Sequence, residues 1–288
     1  MTKVGFLGTG LMGQPMIKRL LTSNISVIAY NRTVSKLEGL KESGVIIAQS
    51  PTEVVQNSDC IILMLTNATA IKDLLLTEIT SKYLIDRTII QMGTIAPQES
   101  IILQQEITAK GGEYLEAPVL GSIPEAQNGN LLVMVGSTET QFKKWSYLLQ
   151  NFGSEPILIG EVGTAAALKL ALNQLIASLT SSFALSLGFL SRQGVDIDQF
   201  MNILRQSALY APTFDKKLAR MCDGNYDNPN FPTKHLLKDV NLFLQESESL
   251  NLMSDSLNGV QKILEKAIEL GLSDADYSAL YSAIVPKS

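Results

Sequence analysis

The sequence predicts an α/β N-terminal domain with a doubly wound, mostly parallel sheet, followed by an all-α C-terminal domain. Between residue 3 and about residue 160, short β-branched runs alternate with helical patterns, as the crossover connections of a parallel sheet require. After Gly160 the helical pattern continues without a convincing strand. We therefore predict one domain over 1–162 and a second over 163–288.

The predicted elements follow the chain in that order. Strands are expected over KVGFLG, ISVIAYN, GVIIA, IILMLT, TIIQMG, EYLEAPV, LLVMVG and PILIG. The segment GTAAALKLALNQLIASLTSSFALSLGFLSRQG, from residue 163, contains no proline and predicts one helix of about 30 residues, roughly 45 Å long. Further helices are expected over DIDQFMNILRQSA, TFDKKLARMCDG, TKHLLKDVNLFLQESESL, MSDSLNGVQKILEKAIELG and ADYSALYSAIV.

Composition narrows the function classes. The 288 residues are 45% hydrophobic and 18% charged with a formal net charge of −5, which indicates a globular protein and disfavours nucleic acid as a partner. Cys60 and Cys222 lie far apart and His235 is the single histidine, so we expect reduced thiols, no metal site and a cytoplasmic protein. The apolar segment 176–190 is short and serine-rich, so no membrane association is expected.

A glycine-rich turn follows the first predicted strand and opens a helix. In GTGLMG, Gly8 permits the tight turn, Gly10 lets a pyrophosphate approach the backbone, and Gly13 lets the helix pack on the strand. The alternative is an ordinary turn. The order of strand, turn and helix at the start of an α/β domain favours dinucleotide binding by a Rossmann domain.

The end of the second strand indicates which dinucleotide is bound. An NAD-selective site carries an acidic residue there to accept the ribose 2′-hydroxyl, whereas this chain has Asn31, Arg32 and Thr33. An arginine and small polar groups can hold a 2′-phosphate, so we predict NADP as the cofactor. The alternative is a loop arginine that points into solvent.

Several motifs together resemble the β-hydroxyacid dehydrogenase family over essentially the whole chain. They are VGFLGTGLMGQPM at the start, YNRT after the second strand, QMGTI at 91–95, EAPVLGS at 116–122, GTAAALKLALN at 163–173 and FPTKHLLKDVNL at 231–242. The NRT and FPTKHLLKD segments are most similar to the glyoxylate/succinic semialdehyde reductase branch. The resemblance implies a Rossmann domain, a long interdomain helix, a helical C-terminal domain that builds a homodimer or homotetramer, and an active site in the cleft between the domains.

The resemblance also implies roles for individual residues. Lys169 matches the family's catalytic lysine, and Asn173 matches the asparagine that orients substrate and lysine. The implied substrate-binding residues are Thr94, Gly121, Ser122, Phe231 and Asp239. The expected cofactor-binding residues, from the turn, the second strand and the resemblance, are Gly8, Gly10, Leu11, Met12, Gly13, Asn31, Arg32, Thr33, Leu65, Thr94 and Lys238.

Two segments depart from the family pattern. The family usually has Asp-Met-Ser-Thr where this chain has Gln91-Met92-Gly93-Thr94, and Pro-Val-Ser-Gly where it has Leu120 in place of the serine. Both missing serines belong to segments that bind the acid end of the substrate. The family therefore does not define the substrate of this chain.

The residues themselves allow the chemistry to be examined. Reduction of an aldehyde needs a hydride from the cofactor and a proton for the oxygen, and a partly buried lysine is suited to donate that proton. Lys169 and Asn173 share one helix face at i and i+4. The alternative is a lysine whose stem covers apolar surface while its head reaches water. For Lys238 and Asp239 the alternative interpretation is that they belong to an ordinary solvent-exposed face of a helix and have no role in the site.

Rival chemistries are less consistent with the sequence. No tyrosine is followed four residues later by lysine, which excludes the Tyr-x-x-x-Lys class of reductase, and His235 lacks the partners of a histidine-dependent dehydrogenase. The prediction is an NADPH-dependent reductase of a short carboxylate-bearing aldehyde, of the glyoxylate or succinic semialdehyde class. The alternatives are an imine reductase-like enzyme and a non-catalytic NADPH-binding module, and the presence of Lys169 argues against both.

Overall fold

The computed structural model describes residues 2–286, and the chain forms two compact units that divide between Lys169 and Leu170. The predicted domain boundary after residue 162 marks the change from alternating strands and helices to helices alone, and it stays a prediction. The packing instead divides the chain inside the helix Thr164–Arg192, because the start of that helix is held by the α/β unit.

The described residues form nine strands and thirteen α-helices. The strands are β1 (Val4–Leu7), β2 (Val27–Tyr30), β3 (Ile46–Ile47), β4 (Cys60–Leu63), β5 (Thr88–Gln91), β6 (Glu113–Glu116), β7 (Val119–Leu120), β8 (Leu132–Gly136) and β9 (Ile157–Gly160). Helices of the first unit are α1 (Gly13–Thr22), α2 (Glu38–Lys41), α3 (Pro51–Gln56), α4 (Ala68–Leu75), α5 (Pro97–Thr108), α6 (Ile123–Asn128) and α7 (Glu139–Leu149).

The remaining helices follow the predicted order. They are α8 (Thr164–Arg192), α9 (Ile197–Arg205), α10 (Pro212–Asp223), α11 (Thr233–Ser249), α12 (Asp255–Glu269) and α13 (Leu280–Ile284). Short 3₁₀ turns cover Val34–Leu37, Thr80–Tyr83 and Tyr277–Ala279. Helix α8 has 29 residues, close to the predicted length.

The sheet has the doubly wound order β3-β2-β1-β4-β5-β6, and all neighbours along this part are parallel. This confirms the predicted Rossmann-type fold. The direction of winding reverses between β1 and β4, and such a switch point is where open α/β sheets bind their ligands. The register pairs Leu7 with Leu63, Leu63 with Gln91, and Gln91 with Glu116, so the carboxyl ends of these strands lie at one edge.

One predicted strand is wrong in its extent. The run EYLEAPV is interrupted at Ala117 and Pro118, so that β6 pairs parallel with β5 whereas β7 pairs antiparallel with β8. Pro118 has no N–H to donate to a sheet, although its carbonyl accepts from the Met134 N–H at 3.0 Å. The chain therefore changes direction where the sequence pattern suggested continuous extension.

Helix α8 is apolar along most of its length. By length and composition it is long and apolar enough to cross a membrane, with a mean hydropathy of 1.4 in its best window. In the sequence, the shortness of the segment 176–190 argued against a span, and the 29-residue helix removes that argument. A core helix of a soluble protein meets the same criteria. Here Ala177, Phe183, Ala184 and Leu187 of the helix belong to the buried core of the second unit.

A buried ion pair lies inside the second unit. Lys217 of α10 donates to both carboxylate oxygens of Asp276 at 2.8 and 2.9 Å, and the two side chains are 8% and 0% exposed. Burial alone would raise the pKa of Asp276, but the charge of Lys217 and hydrogen bonds from Lys217 and Ser278 outweigh it, so that the pKa lies below its ordinary value. The pair joins α10 to the segment before α13.

Replacing Lys217 by methionine is expected to destabilise the protein by about 3–5 kcal/mol, because it leaves the Asp276 carboxylate buried without its partner. Denaturant unfolding of the two proteins at neutral pH measures the difference. The stabilisation is present above about pH 4, the unfolded pKa of an aspartate, and is lost as the pH falls through the folded value.

The matched control is Lys234→Met, which breaks the solvent-exposed pair of Lys234 with Asp274. Exposed pairs contribute about 0–1 kcal/mol. Equal losses of stability in the two variants would contradict a structural role for the buried pair.

Candidate active site

The glycine turn lies at the carboxyl end of β1 and uses its three glycines differently. Gly8 has φ +101°, and a Cβ on it would lie 2.3 Å from the Met64 carbonyl oxygen. A Cβ on Gly13 would lie 2.0 Å from the Gly8 carbonyl oxygen, so Gly13 allows α1 to pack onto the turn. A Cβ on Gly10 would meet no atom within 4 Å. Gly10 thus leaves open space beside the backbone, which fits the approach of a pyrophosphate.

Asn31 has a structural task that the sequence did not reveal. Its Oδ1 accepts from the Thr9 N–H at 3.1 Å, and its Nδ2 donates to the Thr33 carbonyl at 3.0 Å. The side chain therefore links the glycine turn to the loop after β2. Arg32 and Thr33 are exposed beside it.

The departure at 91–94 has a steric explanation. The buried Gln91 side chain accepts from the Gly93 N–H at 3.0 Å and donates to the Gly93 carbonyl at 3.1 Å, which an aspartate could not do because it has no N–H. A Cβ on Gly93 would lie 2.6 Å from the Leu65 carbonyl oxygen. In this chain the glutamine side chain is bonded to the glycine backbone, and a serine at position 93 does not fit this backbone. Thr94 follows directly and is half-buried.

The loop expected to receive the substrate's acid end is partly occupied by the chain itself. Gly121 has a φ of +141°, a backbone conformation that favours glycine, and Ser122 precedes α6. The Ser122 hydroxyl and N–H both donate to Glu125 Oε2, at 2.6 and 2.8 Å. Glu125 thus accepts from both donors of Ser122, the residue predicted to bind the substrate.

A buried carboxylate that sequence reasoning missed lies at the end of β6. Glu116 Oε1 accepts three backbone N–H groups at the start of α8, and Ser100 donates to Oε2. Burial raises the pKa of Glu116, opposed by the hydrogen bonds from Ser100 and from the backbone. The signal in the sequence was an acidic residue ending an otherwise buried strand.

Lys169 lies in the early part of α8 and is only 9% exposed. Its neighbours in the helix are Ala and Leu. Such burial does not fit a lysine whose ammonium stands in open solvent. Its catalytic role stays a prediction. Asn173 follows one helical turn later, on the same face.

Within the second unit, Asn173 and Asp239 are brought together by α8 and α11. Both are 2% exposed, and Asn173 Nδ2 donates to Asp239 Oδ2 at 2.5 Å. Lys238 Nζ forms an ion pair with Asp239 Oδ1 at 2.8 Å. In the part of the chain that the structure describes, the buried Asn173 Oδ1 accepts no hydrogen bond. A solvated helix face would not show this burial. The oxygen of Asn173 is therefore an acceptor to which no group among residues 2–286 donates.

Two other residues considered in the sequence, Phe231 and His235, lie just before α11 and within it. Phe231 packs its ring edge-to-face with Tyr277, at 5.8 Å between centroids, and precedes α11. His235 lies on α11 itself, where burial and then the charges of Lys238 and Lys234 lower its pKa. A histidine with a lowered pKa is neutral at pH 7, which does not suit a proton donor.

The chain is similar in sequence to known families and proteins over nearly its whole length. Residues 3–161 match the model of the NAD binding domain of 6-phosphogluconate dehydrogenase, and residues 163–284 match that of NAD-binding of NADP-dependent 3-hydroxyisobutyrate dehydrogenase. Glyoxylate/succinic semialdehyde reductase 1 of Arabidopsis thaliana is 30% identical over 284 residues, which cover 98% of each chain.

Solved structures agree on the fold. The 3-hydroxyisobutyrate dehydrogenase of Mycobacterium tuberculosis with L-serine has a TM-score of 0.88 at 20% identity, with 99% of each chain covered. Psf3 in complex with NADP⁺ and 2-OPP has a TM-score of 0.86 at 20% identity, covering 98% of this chain and 99% of that one. The glycine turn, the two matched domain models and the full-length relative together show that the chain belongs to the β-hydroxyacid dehydrogenase family of NAD(P)-binding oxidoreductases.

Proposed function

We propose that this oxidoreductase is an NADPH-dependent reductase of a short carboxylate-bearing aldehyde, of the glyoxylate or succinic semialdehyde class. The observation that carries the proposal is the buried Lys169, which precedes by one helical turn an Asn173 hydrogen-bonded to Asp239. The name of the Arabidopsis relative supports the same substrate class. In the opposite direction the enzyme would act as a hydroxyacid dehydrogenase.

The residues have separate tasks in this reaction. When bound, NADPH supplies a hydride to the carbonyl carbon. The glycine turn would hold its pyrophosphate, with the open space at Gly10, and Arg32 would pair with its 2′-phosphate. Lys169 would donate a proton to the carbonyl oxygen, so that the C=O double bond becomes a C–O single bond, with a new C–H bond on the carbon and a new O–H bond on the oxygen. Asn173, held through its amide by Asp239, would hold the reacting oxygen or Lys169 in place.

The cofactor preference is testable at Arg32. We expect kcat/KM with NADPH to exceed that with NADH by at least about tenfold, because Asn31, Arg32 and Thr33 stand directly after β2 in place of an acidic residue, and the exposed Arg32 can form a charge-assisted bond to a 2′-phosphate. Arg32→Ala should remove most of this preference, whereas Lys18→Ala, an exposed cation on α1, should leave it unchanged. A wild-type preference for NADH would show the assignment to be wrong.

The substrate class requires a panel of compounds, because Glu125 holds both donors of Ser122. Oxidation of NADPH should be followed with semialdehydes, ketoacids, uncharged aldehydes and cyclic imines. Turnover highest with carboxylate-bearing aldehydes supports the proposal. Turnover confined to imines would favour an imine reductase, and cofactor binding without any turnover would favour a binding module.

We further propose a cytoplasmic homodimer or homotetramer built through the C-terminal domain, without nucleic-acid or membrane partners. Supporting the assembly, α8 exposes Leu175, Leu179, Leu185 and Phe189, apolar side chains that a second copy of the chain would cover. Light scattering after size exclusion measures the mass. A monomer at micromolar concentration would contradict this proposal.

A further inference from the structure

The helix that carries Lys169 begins without a capping side chain of its own. Its N-cap position is Gly163, which has φ +103° and no side chain, so it cannot supply the oxygen that usually accepts the first free N–H groups. The Thr164 N–H donates to the Glu161 carbonyl at 3.1 Å. The N–H groups of Ala165 and Ala166 need an acceptor from elsewhere.

Glu116 supplies that acceptor from the sheet. Its Oε1 lies 2.8 Å from the Gly163 N, 2.9 Å from the Ala165 N and 3.0 Å from the Ala166 N. The carboxylate is fully buried, so these bonds are shielded from water, and its negative charge favours the positive end of the helix dipole.

The surroundings of Glu116 hold its side chain in place. Ser100 of α5 donates to Oε2, and the Ser100 hydroxyl also lies 2.8 Å from the Tyr114 hydroxyl. Gly136 of β8 leaves the space that Glu116 occupies, since a Cβ there would lie 2.4 Å from Oε1. The position of the carboxylate is thus determined by a strand, a helix and a glycine of the same unit.

We propose that Glu116 is a positioning residue for Lys169: it joins the end of β6 to the first turn of α8 and so sets where the lysine stands relative to the carboxyl edge of the sheet. Lys169 follows Ala165 by one helical turn, so fraying or rotation of that turn displaces it. Displacement of a catalytic group by about 1 Å can cost about a hundredfold in rate. This inference rests on the proposed function of Lys169.

The test compares Glu116→Ala with Glu116→Gln. Glutamine keeps an acceptor oxygen for the three N–H groups, whereas alanine leaves them without a partner. We expect alanine to lower kcat at least about tenfold with KM for NADPH nearly unchanged, and glutamine to restore most of that loss. Hydrogen exchange in the peptide 163–169 should be at least about tenfold faster in the alanine variant than in wild type.

Leu75→Ala is the control for general destabilisation, because it empties a buried position on α4 that makes no bond to α8. It should lower the melting temperature and leave kcat and the 163–169 exchange unchanged. An equal loss of kcat in Leu75→Ala, or unchanged exchange in a folded Glu116→Ala, would overturn the inference. If the alanine variant does not fold, the glutamine variant decides the outcome. A kcat and a 163–169 exchange rate equal to those of wild type support the inference, and a tenfold loss of kcat in the glutamine variant contradicts it.

Failure of the proposed function is a separate outcome. It would appear as a wild-type protein that binds NADPH but reduces no member of the panel. The exchange measurement does not depend on turnover, so it still decides whether Glu116 holds the start of α8: faster exchange at 163–169 supports the anchoring, and unchanged exchange refutes it.

Discussion

Lys169→Ala is expected to lower kcat by about 10² to 10⁴-fold, the range that general acid catalysis contributes. The variant loses the proton donor while the apolar surroundings of the helix tolerate alanine well, since alanine is the best helix former. Steady-state kinetics with saturating NADPH measure the effect, and circular dichroism confirms the fold. A folded variant that keeps more than about a tenth of wild-type kcat would show that Lys169 is not the catalytic acid.

Lys169→Arg separates charge from proton donation. Arginine keeps the positive charge and much of the length, but its pKa above about 12 makes it a poor proton donor. We expect its kcat to stay within about tenfold of that of the alanine variant. Gln174→Ala, a partly exposed neighbour on α8, serves as the matched control and should keep wild-type kcat.

The second large effect is expected at Gly10. Gly10→Ala should weaken NADPH binding at least about tenfold, or by about 1.4 kcal/mol, because the methyl group takes the space that the pyrophosphate needs. The melting temperature without cofactor should not change, since that methyl group meets no protein atom within 4 Å. Fluorescence titration and thermal unfolding measure the two quantities.

Substitutions at two other glycines serve as controls for this prediction. Gly39→Ala on α2 also meets no atom within 4 Å, and it should leave both binding and stability intact. Gly13→Ala should lower stability itself, since its Cβ would lie 2.0 Å from the Gly8 carbonyl oxygen. If Gly10→Ala binds NADPH as tightly as wild type, the glycine turn is not the pyrophosphate site.

Much of the fold was predictable because its signals are local. Alternation of β-branched runs with helical patterns, and the absence of proline between 163 and 194, are properties of neighbouring residues, and the observed sheet order and the 29-residue α8 agree with them. The extent of the run EYLEAPV was wrong because the pairing of Val119 with Val133 on β8 depends on a distant segment.

The sequence indicated candidate residues for the site but not their partners in the structure. The motif at 163–173 pointed to Lys169 and Asn173, and both are buried. The hydrogen bond of Asn173 to Asp239 joins residues 66 positions apart, which no local pattern encodes. Likewise, Asn31 was expected at the cofactor, and the structure shows its amide in use as a link to Thr9 of the glycine turn.

The sequence by itself determined the two folding patterns, the glycine turn, the helix with its single lysine and the family. Only the tertiary structure showed that Gly93 is needed because a Cβ would meet the Leu65 carbonyl, and that the donors of Ser122 are taken by Glu125. Only the tertiary structure showed that Glu116 caps α8. The physical reason is that periodicity and motifs are short-range signals, whereas steric fit and the satisfaction of buried hydrogen bonds depend on which distant segments fold together.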